Sequence, residues 1–310
     1  MEMGMVGLGR MGGNMVLRLM KRGHRMVAFD QSPDAVKAHV AQGAIGANTL
    51  EDFVKAFQSK PRIMWVMVPA GDPTTQTIDK LVELGEPGDI IIDGGNTNWK
   101  LAIQDAARVK AKGMHYMDAG TSGGIWGLEY GYCLMVGAEQ ETFDHCLPLL
   151  KDLAPDDGGL VRTGAEGSGH FVKMIHNGVE YGLMQAYAEG FQVMKLSKSF
   201  PGMDMQAIAE AWRTGSVVRS WLLDLIARGL SQDPELAGIK GWVEDTGEGR
   251  WTVEAAIDES VPVPIIAESL FARFRSRMEN TFGDRMLAMM RNQFGGHAVV
   301  TDAKGEVART

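Results

Sequence analysis

The sequence predicts an α/β protein in two parts: a doubly wound, mostly parallel sheet over residues 1–164, then an all-helical domain over residues 165–310. Three observations carry this. Through the first half, short apolar runs bounded by glycine and acidic residues alternate with helical patterns. The first of these runs ends in the spacing GxGxxG. Beyond residue 164 the strand pattern stops and only helical periodicity continues, which segregates helices from the sheet.

Residues 3–7 form a short apolar strand that leads into Gly7-Leu8-Gly9-Arg10-Met11-Gly12. A helical pattern follows with Met15, Leu19 and Met20 on one side, then a strand Met26-Val27-Ala28-Phe29 that ends at Asp30. Strand, glycine fingerprint, helix, strand and acidic residue in that order define a Rossmann-type dinucleotide site. Gly7 permits the tight turn, Gly9 admits the pyrophosphate, and Gly12 lets helix and strand approach. The free amides of the helix N-terminus then face the phosphates. Asp30 at the end of the second strand would accept the adenosine ribose hydroxyls and repel a 2′-phosphate. The next residues, Gln31-Ser32-Pro33-Asp34, supply no arginine, so NAD is expected and NADP is disfavoured. The competing reading is that Asp30 only caps the helix starting near Pro33.

Residues 63–68 read as a buried strand closed by Pro69-Ala70-Gly71, and residues 90–92 as another that ends in Asp93-Gly94-Gly95-Asn96. Loops at carboxyl strand ends face the ligand in a doubly wound sheet, which places Val68, Pro69 and Asn96 at the cofactor. Asn96 could instead cap a helix from about Trp99. Residues 115–119 form a strand leading to Gly120-Thr121-Ser122-Gly123-Gly124, a loop whose hydroxyl and backbone amides suit a carboxylate or phosphate. A hairpin-like strand over 128–136, a helix over 139–152 and a short strand over 159–163 complete the domain, and the boundary is expected at the glycines of residues 164–169.

The second part opens with residues 164–185, GAEGSGHFVKMIHNGVEYGLMQ. On a helix, Lys173, His176, Asn177, Glu180 and Tyr181 fall within an arc of about 140°. The opposite face carries Phe171, Val172, Ile175, Val179 and Leu183 and is expected to be the buried one. Five different functional groups in one stripe read as the wall of a cavity, against the plainer reading of a solvated polar face. Gly178 and Gly182 thin the helix, at about 1 kcal/mol each relative to alanine, which makes sense if another element packs close there. Helices are expected over 204–213 running on to 216–229, over 262–282 and over 283–293. Between them Gly247-Glu248-Gly249-Arg250-Trp251-Thr252 is a glycine loop opening a helix. Arg250, Arg273, Arg291 and His297 could bind a dianion, although arginine is most often simply exposed.

The composition is that of an ordinary globular protein. A net charge of −8 argues against a nucleic-acid partner, while a pocket can still be locally basic. The N-terminus lacks a signal-peptide pattern and no run has transmembrane length, so a cytoplasmic location with no membrane partner is expected. Cys133 and Cys146 have neither metal nor disulfide-framework spacing, so they read as reduced core thiols and no metal is expected. The 21 methionines read as pliable core filling.

Residues 167–182, GSGHFVKMIHNGVEYG, resemble the signature of 6-phosphogluconate dehydrogenases. The resemblance extends over nearly the whole chain: to residues 7–12, Asp93-Gly94-Gly95-Asn96, Ser122-Gly123-Gly124, residues 247–252, Val261-Pro262-Val263-Pro264, Phe271-Ala272-Arg273, Arg291 and His297. It implies oxidative decarboxylation of 6-phosphogluconate to ribulose 5-phosphate and CO2. Lys173 would take the proton of the 3-hydroxyl and then polarise the ketone, and Glu180 would protonate C1 of the enediol. A lysine acting as a base must be neutral, so burial and neighbours should lower its pKa. Asn96, Ser122, Gly123, Gly124, His176 and Asn177 would hold the carboxylate and hydroxyls. Tyr181, Arg250, Arg273, Arg291 and His297 would hold the phosphate. The resemblance also implies a homo-oligomer, dimer or tetramer, whose C-terminal tail completes a neighbour's site. Its length matches the short bacterial branch. Arg250 stands where lysine is common in the family, and Asp30-Gln31 where NADP-type members carry Asn-Arg. The alternatives are a 3-hydroxyisobutyrate-type β-hydroxyacid dehydrogenase, which would lack the Glu180-Tyr181 pair and the arginine-rich C-terminus, and a non-catalytic NAD-binding protein, which would have lost Lys173 or Glu180.

Overall fold

The computed structural model describes residues 1–300 and the strand at residues 307–308. These fall into two compact units, Met1–Asn177 and Gly178 onward, and the division lies inside one long helix.

The first unit alternates as the sequence predicts: β1 (Glu2–Val6), α1 (Arg10–Lys21), β2 (Arg25–Phe29), α2 (Pro33–Val40), β3 (Ile45–Gly46), α3 (Leu50–Lys55), β4 (Ile63–Val66), α4 (Asp72–Leu84), β5 (Ile90–Asp93), α5 (Trp99–Lys110) and β6 (His115–Ser122). It continues with a 3-10 turn (Gly124–Trp126), α6 (Gly127–Tyr130), β7 (Cys133–Ala138), α7 (Gln140–Leu153), β8 (Leu160–Gly164) and α8 (Ser168–Lys195), whose first part, to Asn177, belongs to this unit. The eight strands form one sheet in the order β3-β2-β1-β4-β5-β6-β7-β8. Strands β1 to β6 pair in parallel, β7 runs antiparallel to β6, and β8 is parallel to β7. The chain winds outward in one direction from β1 and in the other from β4, so the crevice at the ends of β1 and β4 is where such sheets take their ligand.

The strand period of two divides the apolar residues between two cores. Met3, Met5, Ile63, Trp65, Ile90 and Ile92 point to the layer that holds α1 and α7. Val6, Met64, Val66 and Ile91 point to the layer that holds α3, α4 and α5. Methionines 3, 5, 15, 26, 64, 114 and 117 are at most 2% exposed, which agrees with their reading as core filling.

Two expectations for this unit are corrected. The residues expected to form a strand over 128–136 divide into α6 and β7. Leu128, Tyr130 and Tyr132 alternate like a strand, but Gly131 takes φ +90° and breaks it. Buried Arg18 of α1 donates to the carbonyls of Leu128 and Glu129 (3.4 and 3.3 Å), and also to Asp152 and Ala154 at the end of α7 (2.9 and 2.7 Å). Those carbonyls are the ones a helix end leaves unpaired. Cys146 is buried as expected, whereas Cys133, the first residue of β7, is exposed.

The second unit holds the remainder of α8 with α9 (Met205–Arg213), α10 (Trp221–Gln232), α11 (Glu248–Asp258), α12 (Pro264–Ser276) and α13 (Phe282–Gly295), followed by β9 (Val299–Val300) paired with β10 (Val307–Ala308). Its core gathers Met205, Ala209, Leu223, Ala227 and Leu230 with Tyr187, Phe191 and Trp212. The helix expected to run from 204 to 229 is interrupted. Gly215 takes φ +77°, and the Ser220 hydroxyl caps a new helix by accepting from the Leu223 amide (3.1 Å). The helix expected over 262–282 stops at Ser276, and Thr281 with Asp284 forms a capping box that restarts the chain as α13.

The two faces of α8 reverse the expectation. Lys173 and Tyr181 are each 7% exposed, while Val172, Val179 and Leu183 on the apolar side are 37%, 48% and 46% exposed. The polar stripe is the one that packs. Gly178 meets the expectation of close packing, since a Cβ there would lie 2.6 Å from Cγ2 of Thr252 on α11.

Candidate active site

The glycine fingerprint adopts the geometry that a dinucleotide requires. Gly7 takes φ +99°, and a side chain on it would run into the Met67 carbonyl. A side chain on Gly12 would strike the carbonyl of Gly7, which holds α1 tightly against the turn. Gly9 has open space where its side chain would be, and as the N-cap of α1 it leaves the helix amides without a side-chain acceptor. An anion can therefore reach those amides. Leu8 is buried, Met11 packs on the core and Arg10 is exposed.

Asp30 follows β2 and is half-buried. One carboxylate oxygen accepts the Leu8 amide (2.7 Å) and the other accepts the Ser32 amide (2.7 Å). The cap of α2 is Ser32, whose hydroxyl accepts from Ala35 (3.4 Å), so Asp30 is not committed to that role. Each of its oxygens keeps a second lone pair for a ribose hydroxyl. These residues fit an NAD.

Val68 and Pro69 follow β4, and the Pro69 carbonyl accepts from the Thr74 hydroxyl (3.0 Å). Asn96 follows β5 and is exposed. Asn98, not Asn96, caps α5, its side chain accepting the Lys100 amide (2.9 Å). The capping alternative for Asn96 is thereby removed. Ser122 ends β6, and Gly123 and Gly124 turn with φ +134° and +53°. Gly124 is exposed and opens onto free space.

Lys173 lies against β6 because residue 120 is glycine: a side chain there would collide with Cβ of Lys173 and come within 2.8 Å of the Gly169 carbonyl. The Lys173 ammonium donates to Oδ1 of Asn177 (2.7 Å) and lies 3.4 Å from Nδ1 of His176. Nδ1 of His176 is itself 3.0 Å from Oδ1 of Asn177, an arrangement that suits an Nδ1–H tautomer. Amine, imidazole and amide thus form one contact group, as their shared helix face predicts. Glu180, one turn further along α8 and in the second unit, is half-buried.

In the second unit Tyr181 anchors a cationic cluster. The guanidinium of Arg273 stacks 3.5 Å from the Tyr181 ring centroid and donates to the Glu244 carbonyl (2.8 Å). Arg250 and Arg277 lie over the Phe274 ring at 4.4 and 5.3 Å. Both pair with Asp245, whose side chain is 4% exposed, at 2.5 and 2.8 Å. Hydrogen bonds from Arg250 and then Arg277 outweigh burial and hold the Asp245 carboxyl below its ordinary range. Three guanidiniums are thereby gathered around Asp245 and the Tyr181 and Phe274 rings. Arg291 and His297 are exposed at the end of α13, and neither takes part in the hydrogen bonds and stacking that gather this cluster.

Sequence reasoning missed Asp245 and Arg277. The spacing of Arg273 and Arg277, one helical turn apart, was the available signal. It also missed Asp118, a carboxylate inside an apolar strand, which accepts the amides of Gly167 and His170 at the start of α8 (2.6 and 2.7 Å).

A Rossmann sheet with an open glycine turn, followed by helices that carry a buried lysine and an arginine cluster, defines a dinucleotide-dependent dehydrogenase with a separate helical domain. Residues 2–164 match the profile of the NAD binding domain of 6-phosphogluconate dehydrogenase, and residues 169–307 match that of the 6-phosphogluconate dehydrogenase C-terminal domain. The chain therefore belongs to the 6-phosphogluconate dehydrogenase family. The protein YqeC of Bacillus subtilis is 43% identical over 96% of this chain and 99% of its own length. The NAD(+)-dependent decarboxylating 6-phosphogluconate dehydrogenase of Haloferax volcanii is 41% identical over 96% and 98%. The solved 6-phosphogluconate dehydrogenase of Plasmodium falciparum superposes with a TM-score of 0.83 at 25% identity, covering 98% of this chain and 67% of that one. Among the described residues no helix is long and apolar enough to cross a membrane.

Asp245 yields a prediction with a definite sign. Its folded pKa is depressed, so the stability it contributes is complete above the unfolded value of about 4 and is lost as pH falls through the folded value. Asp245→Asn should cost about 1 kcal/mol at pH 7, because the arginines it holds are partly solvated. Urea unfolding of wild type and variant should converge as the pH drops below about 4.

Proposed function

We propose that this chain oxidatively decarboxylates 6-phospho-D-gluconate to D-ribulose 5-phosphate and CO2 with NAD. The observation that carries the reading is the buried Lys173, held in contact with His176 and Asn177 in a chain whose family is established. NAD, when bound at the glycine turn and Asp30, supplies the hydride acceptor for C3 of the substrate.

Lys173 takes the proton of the 3-hydroxyl as the ketone forms. The protonated amine then donates to the new carbonyl, and polarisation of a β-keto acid in this way drives loss of CO2. Glu180 delivers a proton to C1 of the enediol. Asn96, Ser122, Gly123, Gly124, His176 and Asn177 hold the carboxylate and hydroxyls. Tyr181, Arg250 and Arg273 hold the phosphate, and Arg277 adds a third guanidinium to that set. Arginine in place of lysine at position 250 gives a planar fork suited to phosphate oxygens.

We also infer a homo-oligomer, dimer or tetramer, of a cytoplasmic enzyme. The exposed apolar residues support assembly: α13 has no buried residue, and Met286, Leu287, Met289, Met290 and Phe294 are 40–94% exposed. Such surface is usually covered by a partner. Arg291 and His297 then act in the neighbouring subunit's site. Residues 301–306, in the tail expected to reach that site, lie outside the described residues.

Supplied with 6-phosphogluconate, the enzyme should release CO2 and form NADH faster than NADPH. Lys173→Ala should lower kcat by about 100-fold or more. Arg273→Ala should raise KM by about 10-fold for 6-phosphogluconate and leave turnover of gluconate unchanged. Wild-type turnover by Lys173→Ala would exclude Lys173 as the base, and equal effects on both acids would exclude Arg273 from the phosphate.

Mixing tests the tail. Inactive Lys173→Ala and Arg291→Ala proteins, unfolded and refolded together, should regain activity through hybrid sites. If they stay inactive together, Arg291 acts within its own subunit.

A further inference from the structure

Behind the Lys173 group lies a cluster of ionisable side chains that the mechanism does not use. His170, in the first turn of α8, is 2% exposed, and its Nε2 lies 3.2 Å from Oδ2 of Asp93 at the end of β5, which has no exposure. Asp93 also accepts the hydroxyl of Tyr116 on β6 (3.2 Å) and, through Oδ1, the amide of Gly95 (3.0 Å). Asp118 on β6 accepts the backbone amide of His170. Asp105 on α5, paired with Arg108, completes the groups that face the imidazole. Burial alone would lower the His170 pKa, but Asp93, then Asp118 and Asp105, hold it above its ordinary value. The imidazole and the Asp93 carboxyl thus face each other as a buried acid–base pair.

Apolar residues in these positions would often be as stable or more so, because the desolvation of buried charges is only partly recovered. The pair occupies a particular place. On one side, Asp93 fixes the turn that begins with Gly94 and Gly95 and presents Asn96. On the other, His170 lies one helical turn before Lys173, on the same side of α8. We infer that His170 and Asp93 are positioning residues for the reaction, an internal tie that sets the loop of Asn96 against the turn of α8 that carries Lys173. The lysine amine must meet its proton within a few tenths of an ångström, and the tie fixes both sides of that contact.

The inference rests on the reading of Lys173 as the base, and the experiment separates the two. Wild type, Lys173→Ala, His170→Gln, Asp93→Asn, the double variant and Tyr116→Phe are assayed with 6-phosphogluconate and with the same acid deuterated at C3. Retained turnover in Lys173→Ala overturns the base assignment, and the tie with it. With Lys173→Ala inactive, each single charge variant is expected to lower kcat about 10- to 100-fold with KM for both substrates changed less than about 3-fold. The isotope effect on kcat should rise, because the chemical step has become slower. The double variant should recover part of the loss, since neither buried group is then left facing a mismatched partner. A loss of kcat with wild-type isotope effect is the mark of fewer folded molecules and overturns the inference, as does wild-type kcat in both single variants. Tyr116→Phe keeps the ring and removes one hydroxyl, and it decides the matter if the charge variants do not fold. It should lower kcat about 3-fold with a raised isotope effect, and wild-type values for both overturn the tie.

Discussion

The structure of the first unit depends on how closely α8 is seated on β6. Helix α8 begins where Asp118 accepts two of its backbone amides, at 2.6 and 2.7 Å, from a strand about fifty residues earlier in the chain. Those amides would otherwise be orphaned at a buried helix start. Gly120, two residues along the same strand face, then lets the helix descend until Lys173 touches backbone. The carboxylate anchors the helix and the missing side chain sets its depth. Burial of Lys173, a residue only 7% exposed, follows from both. The cost of burying it is offset by Asn177, whose Oδ1 accepts a hydrogen bond from the amine at 2.7 Å.

The two units handle charge differently. In the first, acidic side chains on the interior strands β5 and β6 are buried against the start of α8. In the second, three guanidiniums lie over two aromatic rings, and two of them share one carboxylate. Asp245 holds both Arg250 and Arg277 beside the Phe274 ring.

Much of this was legible in the sequence, for local reasons. The fingerprint at residues 7–12, with Asp30 after the second strand, is a contiguous pattern whose geometry is dictated by glycine sterics. The contact of Lys173, His176 and Asn177 follows from helical spacing alone. The remainder depends on partners distant in sequence. Helix periodicity identified the two faces of α8 but not which one would pack, because Gly120 and Gly249 lie on other elements. Nor could spacing choose between Asn96 and Asn98 as the cap of α5, since both stand just before it. Gly215 and Ser220 break a long helical pattern by backbone conformation and capping, and apolar periodicity alone ran straight through them. Asp118 and Arg277 were visible as residues, but their roles required knowing what lay across from them.

Gly120→Ala addresses the seating of α8 most directly, because it adds one methyl group where the helix rests and removes no functional group. The folded variant, with its melting temperature recorded, should lose about 10- to 100-fold in kcat as Lys173 is lifted from its place, with NAD affinity changed less than about twofold. A folded Gly120→Ala enzyme that turns over 6-phosphogluconate at the wild-type rate would contradict the account.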